Sequence, residues 1–420
     1  MKPVVIVVTL LLLAACSSAP TPEPTATATP RPTATPRPTL TPTPTPVPRC
    51  PAPNPQAGWL APATFADYPQ AILAFLDAGG LPTTLATILR NASSINESFG
   101  SVRALDLTGD GEREIIVSIY DPATLDRSPA PNGALLIYGC DRQRAALLHA
   151  SVAPAVDTMP RIVQVGDILG ESRGAQLAVV TSTCGAHTCV ERFDVLGWNG
   201  AAFVSLLSTP LEIPSGTFNL VQLDQDPALE ITAQGGLIGS VGAGPQRAEK
   251  QVWEWNGAQY VKAATELSPV EYRIHAIYEG DDAFRAGETD RAVEWYSRAI
   301  LDDSLKDWHA EIGYRTQTDR VVLTAYARYR LLLIGVRRGD ANARDQLDAL
   351  LAENPAGSPA YETARMAQVF WDSYQSTSSW NEACTAANAY ANEKYQIFED
   401  LNLFGYANRT YIPADLCPVE

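Results

Sequence analysis

The sequence has only four histidines, His149, His187, His275 and His309, and none stands in an H-E-x-x-H spacing. That excludes the common zinc-hydrolase signature. There is no G-x-S-x-G segment, so no nucleophile elbow. Basic residues are scarce: 31 Lys and Arg stand against 47 Asp and Glu, for a formal net charge of −16. Such a chain repels nucleic acid and anionic lipid surfaces, while cations suit it. After residue 15 no long apolar run occurs, so nothing further along should span a bilayer. The glycine-rich segment Gly235–Gly244, GGLIGSVGAG, lacks the Lys-Ser/Thr end of a phosphate loop and the glycine order of a dinucleotide fingerprint. Between strands it reads as a flexible hairpin loop. The adjacent carboxylates Asp302 and Asp303 do not face one another on a helix, which argues against a glycosidase pair there.

What is present begins with residues 1–15, MKPVVIVVTLLLLAA: one basic residue, an apolar run and a small-residue end. This is the pattern of a secretory signal peptide, too short for a stable transmembrane helix. The end, Leu13-Ala14-Ala15-Cys16, resembles the lipobox of bacterial lipoproteins. The resemblance implies that Cys16 is acylated, becomes the mature N-terminus and anchors the chain to the extracytoplasmic side of a cell membrane. The alternative is a plain secretory signal. Residues 16–50 continue as a Thr/Pro tract with no apolar face. It reads as an extended, disordered stalk of roughly 100 Å, at about 3.1 Å per residue.

Cysteine use fits export. Apart from Cys16 there are six, an even number, and six cysteines allow fifteen pairings. The expected scheme joins Cys184 to Cys189 across GAHT, Cys384 to Cys417 around the C-terminal tail, and Cys50 to Cys140. Zinc bound by Cys184, His187 and Cys189 is the alternative, weakened by the lack of a fourth ligand.

Residues 51–94 read as a small helical cap. Asp67-Tyr-Pro opens one apolar-periodic segment that stops at Gly79-Gly80, and Pro82 opens another. Over 95–264 the pattern changes to short β-rich runs separated by Gly, Asn, Asp and Pro turns. An internal repeat emerges. The offset from Asp167 to Asp224 equals the offset from Trp198, in GWNGAAFV, to Trp255, in EWNGAQYV. Asp106 opens the first copy and precedes Asp167 by nearly the same interval. Asn199-Gly200 and Asn256-Gly257 are hairpin turns. Each unit therefore holds about four strands in roughly sixty residues, the content of a propeller blade. At the two repeated tryptophans, core packing is favoured over an exposed stacking platform.

With an acidic loop ahead of a strand, these units resemble FG-GAP or VCBS repeats, the blades of integrin-type β-propellers. The resemblance implies calcium in a loop such as Asp106-Leu-Thr-Gly-Asp-Gly-Glu-Arg-Glu. Oxygen donors fall at alternate positions there: Asp106, Thr108, Asp110, the backbone of Glu112, and Glu114. Thr at position three and Glu at position nine depart from the family pattern, and a solvated acidic turn is the alternative. The later copies are weaker. Asp167 and Glu171 remain in the second, with Leu169 at a ligand position, and Asp224, Asp226 and Glu230 remain in the third. Three units are too few to close a propeller, so an open array capped by the flanking helices is expected.

Residues 265–420 become helical. Gly280, Ala292, Tyr296 and Ala299, with Gly287 in the intervening turn, are similar to a tetratricopeptide repeat. Ala343, Leu347 and Pro355 form a fainter copy. The expected fold class is multidomain: three degenerate all-β propeller-like blades, then an all-α, tetratricopeptide-like domain with a disulfide-pinned tail. Both architectures serve elsewhere as interaction platforms. The expected function is therefore non-catalytic: a lipid-anchored surface protein with a protein, peptide or other ligand partner and at most a structural calcium. A carbohydrate-active envelope enzyme with its site at the β/helical junction, and a purely structural envelope protein, are the alternatives.

Overall fold

The computed structural model describes residues 51–153, 157–171, 174–185, 187–313 and 318–419. The signal segment, Cys16, the Thr/Pro tract and Cys50 lie outside the described residues. All described residues belong to one unit, Pro48–Glu420.

Two helices come first, α1 (Tyr68–Asp77) and α2 (Pro82–Asn91), each with proline in its first turn, where no backbone donor is needed. Helix α1 stops because Gly79 takes a φ of +84°. Gly80 then donates back to the Phe75 carbonyl at 3.0 Å.

Three antiparallel sheets follow. The first holds β1 (Ser101–Leu105), β2 (Glu114–Tyr120), β3 (Gly133–Asp141) and β4 (Arg144–Val152), paired in chain order. The second pairs β5 (Arg161–Gly166), β6 (Gln176–Cys184), β7 (Cys189–Trp198) and β8 (Phe203–Ser205), with β9 (Leu211–Pro214) also on β7. The third holds β10 (Thr217–Val221), β11 (Glu230–Gly235), β12 (Glu249–Trp255) and β13 (Tyr260–Leu267).

Side-chain alternation sorts these sheets into layers. In the first sheet Val117, Ile119, Leu136 and Tyr138 pack with Ile72, Phe75, Leu85 and Leu89 of the two helices. The intervening Ile116, Leu135 and Ile137 meet Leu177, Val179 and Leu196 of the second sheet. That sheet's other face, with Ala178, Val180, Phe193 and Val195, meets Ile231, Ala233 and Trp253 of the third. A one-residue register slip in β2 or β6 would exchange these faces. No closed ring forms among the described residues; β13 is largely exposed past its first two residues.

The C-terminal part is helical: α3 (Arg273–Arg285), α4 (Thr289–Leu301), α5 (Trp308–Glu311), α6 (Thr318–Arg338), α7 (Ala343–Glu353), α8 (Tyr361–Thr377), α9 (Trp380–Glu393), α10 (Gln396–Asn402) and α11 (Pro413–Leu416). Gly280 lets α3 and α4 approach, since a Cβ there would lie 2.6 Å from the Tyr296 ring. Ala292 and Ala299 are fully buried on the facing side.

At the centre of this part sits a buried charge node. Arg330 is 1% exposed and Asp281 3%, and they pair at 3.3 Å. The hydroxyls of Tyr296 and Tyr411 donate to the Asp281 carboxylate. Arg330 donates from Nη1 to the carbonyls of Asp415 and Leu416, at 3.0 and 2.9 Å. The tail is thus held by a side chain on α6 as well as by the disulfide Cys384–Cys417.

Candidate functional site

The disulfide Cys184–Cys189 closes the β6–β7 hairpin, where the two residues face each other in register. Both sulfurs are consumed, which removes the zinc alternative with His187. Cys140 is also disulfide-bonded. The expected partner, Cys50, is outside the described residues.

In the first acidic turn, Asp106 accepts from the amides of Gly109 and Gly111 at 2.7 and 3.0 Å. Asp110 accepts from Glu112 at 2.8 Å. Glu114 points inward, 2% exposed, and accepts from the amides of Leu107 and Thr108 at 2.6 and 3.1 Å. The Thr108 hydroxyl donates to its other oxygen at 3.3 Å. Thr108 and Glu114 therefore meet, and amide dipoles offset the charge of the carboxylates.

The same device recurs where the sequence looks degraded. Gln176 Oε1 accepts from Ile168 and Leu169 at 2.7 and 3.1 Å. Glu230 accepts from Leu223. Each anchor is the buried first residue of the second strand in its sheet. Their spacing from Asp106, Asp167 and Asp224 drifts from one turn to the next. This drift hides Gln176 in the sequence; a neutral acceptor opening an apolar strand is its one available signal.

The anchored turns also link the sheets. Ala175 donates to the Asp106 carbonyl at 3.0 Å, and Leu229 to that of Ile168 at 2.9 Å. A Cβ on Gly174 would lie 2.7 Å from the Leu107 carbonyl oxygen, so a side chain there would part the first two turns. Among the described residues, the one group of three His, Cys, Asp or Glu side chains with ligand atoms within 4.8 Å of one another is Asp224, Asp226 and Glu230, in the third turn.

Because Gln176 does in one sheet what Glu114 does in another, Glu114→Gln should keep the fold, within about 1 kcal/mol. Glu114→Ala should cost about 2–4 kcal/mol, since two amides lose their acceptor. Burial pushes the Glu114 carboxyl above its ordinary 4.5, against the amide bonds that lower it. The folded state then holds this proton more tightly than the unfolded chain. The group's contribution is complete below 4.5 and is lost as pH rises through the raised value. Wild type should therefore lose stability relative to Glu114→Gln as pH rises above 4.5, read by urea unfolding. A calcium-dependent rise in melting temperature that disappears in Glu114→Gln would instead make the residue a metal ligand.

Trp198 and Trp255 are half-buried and lean on Phe203 and Tyr260, at ring-centroid distances of 5.1 and 5.4 Å. Asn199 and Asn256 each accept two backbone amides within their turns.

At the β/helical junction a cleft of about 380 Å³ is lined by Arg247, His275, Tyr278, Glu279, Asp282 and Arg409, among others. Its carboxylates are engaged. Glu279 pairs with Arg247 at 2.5 Å and Arg291 at 3.0 Å. Asp282 pairs with Arg409 and with Arg285. Burial pushes Asp282 up, but the two guanidiniums outweigh it and hold the carboxyl below its usual range. A glycosidase acid needs the opposite shift. The glycine-rich segment forms the other side of the junction. It connects β11 to β12 and is docked, with the Tyr406 amide donating to the Gly242 carbonyl at 3.1 Å.

A second cleft, of about 500 Å³, opens between the first two sheets. It lies beside their first strands, with Arg103 on β1 and Arg161 on β5 in its lining. The Ser118 hydroxyl donates to the Pro160 carbonyl at 3.0 Å, and Thr158 Oγ1 accepts from the Ser182 amide at 3.0 Å. The first of these bonds ties β2 to the segment leading into β5, and the second ties that segment to β6. The side chains of Arg103 and Arg161 make no ion pair or hydrogen bond among the described residues, whereas the junction arginines are all paired. Nothing in the sequence singles out this cleft.

No protein-family model, curated protein or solved structure matches the chain.

Proposed function

We propose that this chain is a non-catalytic binding protein displayed on the extracytoplasmic face of a membrane. An acylated Cys16 anchors it, the Thr/Pro tract acts as its stalk, and an open array of three propeller-like blades carries the ligand site. The tetratricopeptide-like helices cap the array through the paired charges of the junction. Calcium enters this reading only as a structural ligand of an acidic turn, with the third turn offering the closest group of carboxylates.

The observation that carries the reading is the cleft between the first two sheets. Its size lies in the roughly 300–1,000 Å³ range of small-molecule sites. Two unpaired guanidiniums facing one cleft, in a chain of net charge −16, favour a small ligand with an anionic group. The engaged carboxylates at the junction weigh against the enzyme alternative.

The test is calorimetric titration of the detergent-solubilised full chain with citrate, galacturonate and inorganic phosphate. At least one should bind, and Arg103→Gln and Arg161→Gln should each weaken it about tenfold, the equivalent of about 1.4 kcal/mol. Both arginines are exposed and unpaired, so the variants should melt like wild type. Binding that is indifferent to both substitutions would overturn the assignment.

A further inference from the structure

If the cleft between the first two sheets is the ligand site, as proposed above, its lining also selects among ligands. Beside Arg103 and Arg161 it carries two carboxylates, Glu97 and Glu191. Glu191 accepts a hydrogen bond from the Ser182 hydroxyl. Glu97 is exposed and makes no ion pair or hydrogen bond among the described residues. Two cations and two anions leave no net charge to hold a bare inorganic anion, which would meet the carboxylates as well as the guanidiniums. A ligand that uses all four groups must bring an acid for the arginines and hydrogen-bond donors for the carboxylates.

The remaining lining points the same way. Ser98 and Ser101 offer hydroxyls that make no side-chain hydrogen bond among the described residues, and each can donate and accept. Thr158 Oγ1 accepts from a backbone amide, so its proton remains free to donate. Phe99 is half-buried, with its ring edge-to-face on Tyr120 at 6.0 Å, and gives the cleft one apolar wall. An apolar wall, a row of hydroxyls, acceptor carboxylates and a guanidinium pair match the parts of one chemical class. A sugar ring has an apolar face and a belt of hydroxyls, and a uronic acid adds the carboxylate.

We infer that the cleft binds an acidic sugar, with Arg103 and Arg161 on its carboxylate and Glu97 and Glu191 accepting from its hydroxyls. The site is distinct from the β/helical junction and needs no bond-making step.

Four probes at equal concentration on the detergent-solubilised full chain decide it: galacturonate, glucuronate, galactose and cyclohexanecarboxylate. One uronate should bind at least tenfold more tightly than galactose, which lacks the acid, and than cyclohexanecarboxylate, which lacks the hydroxyls. Arg103→Gln should remove the advantage over galactose, and Glu97→Ala, which removes the acceptor altogether, the advantage over cyclohexanecarboxylate. Equal, arginine-dependent binding of the uronates and cyclohexanecarboxylate would overturn the sugar assignment while leaving an anion site. Galactose binding as well as the uronates would overturn the acidic part. Arginine-independent binding would overturn both this inference and the function it rests on, while no binding by any of the four probes alongside arginine-dependent binding of citrate or phosphate would overturn this inference alone.

Discussion

Replacing Arg330 by leucine is expected to destabilise the protein by about 3–5 kcal/mol, the usual cost of breaking a buried ion pair from one side. The substitution leaves the Asp281 carboxylate, 3% exposed, without its cation. It also strips the donors from the carbonyls of Asp415 and Leu416, so the tail loses its hydrogen bonds to Arg330 of α6. The guanidinium further sits over the Phe284 ring at 4.4 Å, a contact leucine would replace only in part. Urea unfolding of the full chain measures the loss. The double variant Arg330→Leu with Asp281→Leu should recover much of it, because removing both charges avoids the uncompensated one. The hydroxyls of Tyr296 and Tyr411 would then lack their shared acceptor, so recovery should stop short of wild type. A loss below about 1 kcal/mol for the single variant would mean that the charge is not buried in solution.

Gly244→Ala should be comparably severe for a different reason. Gly244 has φ +82° and ψ −171°, a backbone region essentially restricted to glycine. A side chain there costs about 1–3 kcal/mol in strain alone. Its Cβ would also lie 1.5 Å from the Phe404 carbonyl oxygen. From the other side, Gly405 has φ +92°, and its Cβ would meet the Ala243 carbonyl carbon at 2.5 Å. The two glycines let the β11–β12 connection and the tail loop interlock, while Asn408 donates to the carbonyls of Ala243 and Phe404. Separation of the two segments at this junction is the expected consequence. Hydrogen exchange should show lost protection at Tyr406, and the melting temperature should fall. Gly242→Ala is the control, because its Cβ would meet nothing closer than 3.5 Å. It should change stability by less than about 1 kcal/mol. Equal effects at 242 and 244 would show that the backbone approach is not what the glycine serves.

Both sites lie at the limit of what local sequence can show. The segment 235–244 was legible as a connection between strands, because glycine between β-rich runs marks a turn. Its partner was not legible, since Gly405 lies far along the chain from Gly244 and nothing local marks the approach. The crossing of α3 and α4 was expected from the likeness of Gly280, Ala292, Tyr296 and Ala299 to a tetratricopeptide repeat, and the structure sets Gly280 against the Tyr296 ring, which fills the space a missing Cβ leaves. Arg330 reads in the sequence as one more charge on a helix. Only the convergence of α3, α4, α6 and the tail makes it a buried cation.

The acidic turns were half legible. Asp106, Thr108, Asp110 and Glu114 stand at alternate positions, and the structure does bring Thr108 and Glu114 together. Alternation alone does not distinguish oxygens gathered around an ion from oxygens capping the turn's own amides. Gln176 supplies the contrast, by performing the same capping without a charge.

By itself, the sequence determined the order of the parts: a short apolar segment, a Thr/Pro tract, three β units at a near-constant offset, and then helices. These follow from composition, period and turn residues, which are local properties. It also set the two-faced character of β2 and β6, because alternation dictates which side chains share a side. Which faces meet was left to the tertiary structure, since burial rewards any apolar face equally and carries no address. The cleft between the first two sheets belongs to that second group. Arg103 and Arg161 stand in successive β units, each an ordinary charge on a first strand. Stacking of the first two sheets is what sets them beside one opening and leaves both without a partner among the described residues.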